Sequence, residues 1–248
     1  MRQELVSIQA TDGGCPVHVF TPEEGIHPAV ILYMDGFGIR PTILQMAERL
    51  AEQGYAVFVP DLFYRAGEYG PLNPNEIFAA GDVMGTIGEL FASTDPPRAA
   101  EDTRAILDYI DSRSDVDSSL IGTTGYCLGG AVSMTVAGTY PDRIKAAASF
   151  HAGGLVTDEP TSPHILAPNI RARVYVAGAD HDANYTSENA EVFDAVLSEA
   201  GVRHRCEIYP DARHGFTMTD FPVYNEEAAT RHWDELFGLF GSELQTSS

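Results

Sequence analysis

The 248-residue chain is short of positive charge: 15 Lys and Arg stand against 36 Asp and Glu, a formal net charge of −21. Over the roughly 11,000 Å² of folded surface expected for this mass, that is about one net negative charge per 500 Å². A nucleic-acid partner is therefore not expected, because phosphate contacts need a basic stripe. Anionic membrane surfaces are disfavoured for the same reason, and an anionic substrate would need a local arginine pocket. Cysteine is also scarce. Cys15, Cys127 and Cys206 are odd in number and follow no paired spacing, so neither a disulfide framework nor a metal site is expected. No run approaches 18 apolar residues, so no membrane-spanning helix is expected. Met1 to Leu5 carries no apolar leader core, which makes a reducing, cytoplasmic setting the default expectation.

What remains is ordinary for a globular protein, with 44% hydrophobic and 21% charged residues. No repeat, low-complexity tract or long polar linker divides the chain, so 1–248 reads as a single domain. Apolar runs rich in β-branched residues alternate with helical patterns, the signature of an α/β fold with a mostly parallel central sheet flanked by helices. Strands are expected at Val17–Phe20, Pro28–Tyr33, Tyr55–Val59, Ser119–Thr124, Lys145–Phe150, Ala172–Ala177 and Arg205–Tyr209. Helices are expected at Pro41–Gln53, Pro97–Ser112, Ala131–Tyr140, Ser187–Ala200 and Val223–Phe240. Between Leu62 and Pro97, repeated Gly and Pro break the pattern into an irregular excursion with one or two short helices. It is either a cover over an active site or an ordinary surface connection.

The chemistry concentrates at Gly125-Tyr126-Cys127-Leu128-Gly129, where a buried strand runs directly into a helix. A nucleophile on such a sharp turn projects above the sheet, and the flanking glycines remove atoms where backbone and helix crowd. The helix N-terminus favours a thiolate, and the Leu128 N–H can donate to a developing oxyanion. A thiol nucleophile needs a base, and the base needs an orienting acid. Strand–elbow–helix hydrolases supply these in the order nucleophile, acid, histidine. Asp180 follows the strand ending at Ala177, and His214 lies in the loop after the next strand. Asp180 is preferred as the acid because it comes first after the Gly178 turn; Asp182 is its rival. His151 follows a strand and is a candidate pocket residue or a satisfied strand-end group.

Gly125-Tyr126-Cys127-Leu128-Gly129-Gly130, Gly178-x-Asp180-His181, His214-Gly215-Phe216 and Pro60-Asp61-Leu62-Phe63-x-Arg65 together resemble the dienelactone hydrolase (carboxymethylenebutenolidase) family of the α/β-hydrolase fold, over nearly the whole chain. The resemblance implies a Cys127–His214–Asp180 triad without metal or cofactor. It also implies a second oxyanion donor in the Gly36 N–H, and Asp35 where the family usually carries a glutamate that holds the resting nucleophile. Two family arginines that grip a substrate carboxylate are missing here. Met218 stands four residues beyond His214, and no Lys or Arg occurs between Arg65 and Arg98.

The expected activity is hydrolysis of a small neutral or apolar ester or lactone through a thioester acyl-enzyme, by a monomer or small homo-oligomer. Phe37, Phe78, Met84, Phe91, Phe216 and Met218 are candidate pocket-lining residues that could equally be core. The alternatives are a dienelactone hydrolase acting on an anionic lactone, and a non-catalytic ligand-binding protein of the same fold.

Overall fold

A computed structural model of the chain describes residues 1–245. Its centre is one eight-stranded sheet: β1 (Arg2–Ala10), β2 (Gly13–Thr21), β3 (His27–Tyr33), β4 (Ala56–Pro60), β5 (Val116–Tyr126), β6 (Ile144–Phe150), β7 (Arg173–His181) and β8 (His204–Arg213). The spatial order is β1-β2-β4-β3-β5-β6-β7-β8. The pairs β1–β2 and β2–β4 are antiparallel, and every pair from β4 through β8 is parallel. The helices are α1 (Pro41–Glu52), α2 (Pro74–Ala80), α3 (Val83–Ala92), α4 (Pro96–Ser112), α5 (Leu128–Thr139), α6 (Ser187–Glu199) and α7 (Glu226–Glu243).

Burial explains which strands are apolar throughout. Residues Ala29 to Tyr33 of β3 and all of β4 are buried, as strands covered by helices on both faces must be. β1 differs. It is an edge strand, mostly exposed, and its pattern offers no apolar run, so the sequence reading did not assign it. α7 starts later than expected, at Glu226, because Asn225 caps it by accepting the Ala228 N–H at 3.1 Å. The 62–97 excursion contains a short 3₁₀ turn at Tyr64–Ala66 followed by α2 and α3. Asp82 caps α3 by accepting the Gly85 N–H at 2.9 Å.

The carboxyl ends of β3, β5, β7 and β8 converge on one side of the sheet. That is where open α/β sheets place their chemistry.

Candidate active site

Cys127 links β5 to α5 with φ 53° and ψ −117°, a left-handed conformation costly for a residue with a Cβ. Local crowding holds it there. A Cβ at Gly125 would lie 1.9 Å from the Gly129 carbonyl oxygen, and one at Gly129 would lie 2.2 Å from the Tyr33 carbonyl oxygen. Only glycine fits at either position. The Cys127 N–H donates to the Phe150 carbonyl at 3.1 Å, and the Gly130 N–H to the Cys127 carbonyl at 3.0 Å. The turn is thus pinned to β6 on one side and folded into α5 on the other. Leu128 opens α5, where an N–H has no acceptor within the helix.

His214 lies in the loop after β8. Its Nδ1 sits 2.7 Å from Asp182 Oδ2, and the Asp182 side chain is wholly buried while that of His214 keeps 27% exposure. Burial works against a charged imidazole. The neighbouring Cys127 sulfur and the Asp182 carboxylate outweigh it and raise His214 to about 10. His214 is thus hydrogen-bonded to Asp182 and lines the same cavity as Cys127.

The carboxylate that meets His214 is Asp182, where Asp180 was expected, and strand length gives the reason. The sequence reading ended the strand at Ala177, but β7 continues through His181. Asp180 is consequently still within the β7–β8 ladder, where its Oδ2 accepts the Asp211 N–H at 2.8 Å. Asp182 is the first carboxylate beyond the strand. Its Oδ1 caps the following turn through the Asn184 N–H at 2.8 Å, leaving Oδ2 for the imidazole.

Above Cys127 and His214 lies a cavity of about 540 Å³. Its floor includes Asp35, Gly36, Leu128 and Asn184. Its walls include Phe37 and Phe78, Val83, Met84, Ile87 and Phe91 of the α3 segment, and Phe221 to Val223. Four of the six aromatic and methionine candidates, Phe37, Phe78, Met84 and Phe91, line it. The other two do not. Phe216 and Met218 are fully buried, because the turn after His214 folds inward and packs Phe216 on Tyr209 with centroids 5.3 Å apart. His151 is likewise behind the site rather than on the cavity wall. It is fully buried, with φ 39°, its Nε2 is 2.7 Å from Thr217 Oγ1, and its ring packs 5.4 Å from that of His214. Burial, then the charge of His214, lowers its basicity well below the usual range.

Asp35 faces the cavity but is not free to hold the nucleophile. Arg40, 2% exposed, grips both of its oxygens at 2.6 and 2.8 Å and also holds Asp220 at 2.6 Å. Asp35 Oδ1 accepts the Phe37 N–H at 2.9 Å. The guanidinium lies over the rings of Phe37 and Phe221, 5.8 and 5.2 Å from their centroids. Arg40 thereby ties the Gly36 loop to the segment after His214. A Cβ at Gly36 would lie 2.3 Å from the Phe91 ring, so any larger residue there would push that ring into the cavity. The sequence reading missed both Arg40 and Asp220. Nothing in a local pattern signals a pair 180 residues apart.

A parallel-sheet hydrolase with a cysteine elbow, an adjacent His–Asp pair and an apolar cavity above them is an α/β-hydrolase. The profile of the dienelactone hydrolase family matches residues 16–244, and the chain belongs to that family. It is 27% identical over 242 residues to a Salmonella typhi protein provisionally named a carboxymethylenebutenolidase, an alignment covering 95% of this chain and 86% of the relative. It is 29% identical over 233 residues to the protein usf of Aquifex pyrophilus, covering 92% and 93%. Among solved structures, a provisionally named dienelactone hydrolase from Klebsiella pneumoniae superposes with a TM-score of 0.84 at 24% identity, covering 97% of this chain and 98% of that one. The protein is thus a dienelactone hydrolase-like hydrolase. Among the described residues no helix is long and apolar enough to cross a membrane.

Proposed function

We propose that the chain hydrolyses small neutral carboxylic esters or lactones through a Cys127–His214–Asp182 triad. One arrangement carries the reading. An imidazole coupled to the Cys127 sulfur and fixed by a buried carboxylate sits under a cavity whose lining residues include no Lys or Arg.

The chemistry follows from these positions. The Cys127 proton passes to His214 Nε2, and the sulfur attacks the ester carbonyl carbon. Charge gathers on the carbonyl oxygen, where the N–H groups of Leu128 and Gly36 receive it. As the tetrahedral adduct collapses, the C–O bond to the leaving alkoxide breaks and His214 gives that oxygen its proton. A thioester remains. Water then loses a proton to His214 and attacks the thioester, and the sulfur leaves with the acid product released. Asp182 keeps Nδ1 as the hydrogen-bonded nitrogen throughout, so Nε2 always faces the sulfur.

The preference for neutral substrates rests on charge. Arg40, which pairs with the lining residue Asp35, is already committed to Asp35 and Asp220, and the chain carries −21 overall. A substrate carboxylate would find no partner.

The test compares a short neutral aryl ester with an anionic lactone of similar size, using wild type and Cys127→Ala. The reading expects the higher kcat/KM for the neutral ester and loss of both activities in the variant. Preference for the anionic lactone would overturn the substrate assignment. Equal activity of variant and wild type would overturn the thiol mechanism.

A further inference from the structure

A second constellation of metal-ligating side chains lies away from the cavity, where α6 packs on the outer strand β8. His204 and Cys206 stand two residues apart on that strand and so point to the same face. Asp194, on α6, meets them. One ligand atom from each of Asp194, His204 and Cys206 lies within 4.8 Å of the others.

The hydrogen bonding of His204 fixes which ring nitrogen faces the other two groups. Its Nδ1 is 2.7 Å from the Val202 carbonyl oxygen, and its Nε2 is 3.2 Å from Asp194 Oδ1. Both neighbours are acceptors. A carbonyl can only receive a hydrogen bond, so Nδ1 carries the hydrogen. With Nδ1 held by the carbonyl, Nε2 is the ring nitrogen turned towards the Asp194 carboxylate. A backbone carbonyl behind the distal ring nitrogen is also how metal-bound histidines are held in orientation.

A second observation points to the same place. Tyr185 is 1% exposed, and its hydroxyl has no hydrogen-bond partner among the described residues. That hydroxyl lies within electrostatic reach of Cys206 and Asp194, two of the three prospective ligands.

We propose that Asp194, His204 and Cys206 bind one divalent transition-metal cation of the zinc class. Sulfur and imidazole ligands select such ions over magnesium or calcium. Three protein ligands leave a fourth tetrahedral position, which opens to solvent because Asp194 is half exposed. On binding, Cys206 releases its thiol proton to solvent and Sγ and Nε2 each donate an electron pair to the ion. The ion fastens α6 to the sheet edge and takes no part in ester cleavage.

The test titrates the full-length, metal-free protein with cobalt(II) and then zinc(II). The proposal expects one equivalent of cobalt, a sulfur-to-cobalt charge-transfer band, displacement of that band by zinc, and a rise in Tm on loading. Cys127→Ala keeps the band, which separates this site from the active-site thiol. Cys206→Ser loses it. Asp194→Asn alters an exposed helical position that folding does not require, and it weakens binding by about 100-fold or more, since loss of even an outer-shell partner costs 10–100-fold. Failure of wild type to bind cobalt or zinc overturns the proposal. So does a band that survives Cys206→Ser or disappears in Cys127→Ala, or unchanged affinity in Asp194→Asn.

Discussion

Asp182 Oδ2 meets His214 Nδ1 at 2.7 Å, while Asp180, two residues earlier, is spent on the Asp211 N–H. Two carboxylates at the end of β7 thus have separate duties, and mutation should separate them. Asp182→Asn replaces an acceptor with a group that can present a donor to Nδ1, disturbing the tautomer that aims Nε2 at the sulfur. We expect kcat/KM for a neutral ester to fall by about 10²–10⁴-fold, the range for losing oriented acid–base catalysis. Asp180→Asn should stay within about threefold of wild type, because general catalysis of that size does not run through it. Parallel kinetics on the two variants check this, and a larger loss at Asp180 would reverse the assignment.

The His214 environment also fixes a pH dependence. Its basicity is raised from the ordinary 6.5 to about 10 in the folded protein, against the opposing effect of burial. A folded-state value above the unfolded one means that the native state holds the proton more tightly. The stabilisation is complete below about pH 6.5 and is lost as pH rises from there towards 10. Urea unfolding across that window should show stability declining with pH. Because the Cys127 charge leads the effects that raise His214, Cys127→Ala should bring the imidazole back towards its ordinary value and flatten the decline. NMR titration of the imidazole would read that change directly. An unaltered His214 titration in the variant would mean that the sulfur and ring are not coupled.

Much of this architecture could be read in the sequence, because it rests on local patterns. The all-apolar runs of β3 and β4 report burial on both faces, and the glycines around Cys127 report the crowding of the elbow. The errors arose where a long-range partner decides the outcome. β7 runs past Ala177 because β8 offers it a ladder partner up to Arg213, and that extension brings Asp182 rather than Asp180 to His214. Phe216 and Met218 are apolar whether they face cavity or core, and only the inward fold of their turn decides. The pairing of Arg40 with Asp35 is close in sequence, but the need for it appears only when burial and Asp220 are seen together.

Arg40 should be among the most costly single substitutions outside the triad. Its guanidinium and the Asp35 carboxylate are 1% and 2% exposed, so removing the cation strands a buried anion. Arg40→Met is expected to destabilise by roughly 3–5 kcal/mol, the usual result of breaking a buried pair on one side. Arg40→Lys should rescue only part of this. A lysine ammonium cannot make the bidentate contact to Asp35 while also reaching Asp220. Denaturant midpoints measure the stability. In whatever fraction of Arg40→Lys folds, kcat should fall more than KM rises, because the Gly36 loop carries the proposed oxyanion donor, which acts in the transition state. A KM effect alone would assign Arg40 to substrate binding instead.

Gly125 tests the elbow without touching any reacting atom. Its missing Cβ would lie 1.9 Å from the Gly129 carbonyl oxygen and 2.8 Å from the Gly130 nitrogen. Both are backbone atoms of the first turn of α5, so no side-chain rotation relieves the contact. Gly125→Ala must push the start of α5 away from β5, and with it the Leu128 N–H and the Cys127 backbone. The expected cost is about 2 kcal/mol or more of stability, in the range of forced overpacking in a core. Activity of the folded fraction should fall further than that loss explains, since a displacement of about 1 Å in a reacting group can cost on the order of 10²-fold. Gly238→Ala supplies the control, because a Cβ there meets nothing within 4 Å and sits within α7, where alanine gains up to about 1 kcal/mol in helix propensity. Thermal unfolding and ester kinetics on the two variants should therefore move in opposite directions for stability, with activity lost only at Gly125. If Gly125→Ala kept full kcat, the close approach of strand and helix would not be what positions the nucleophile.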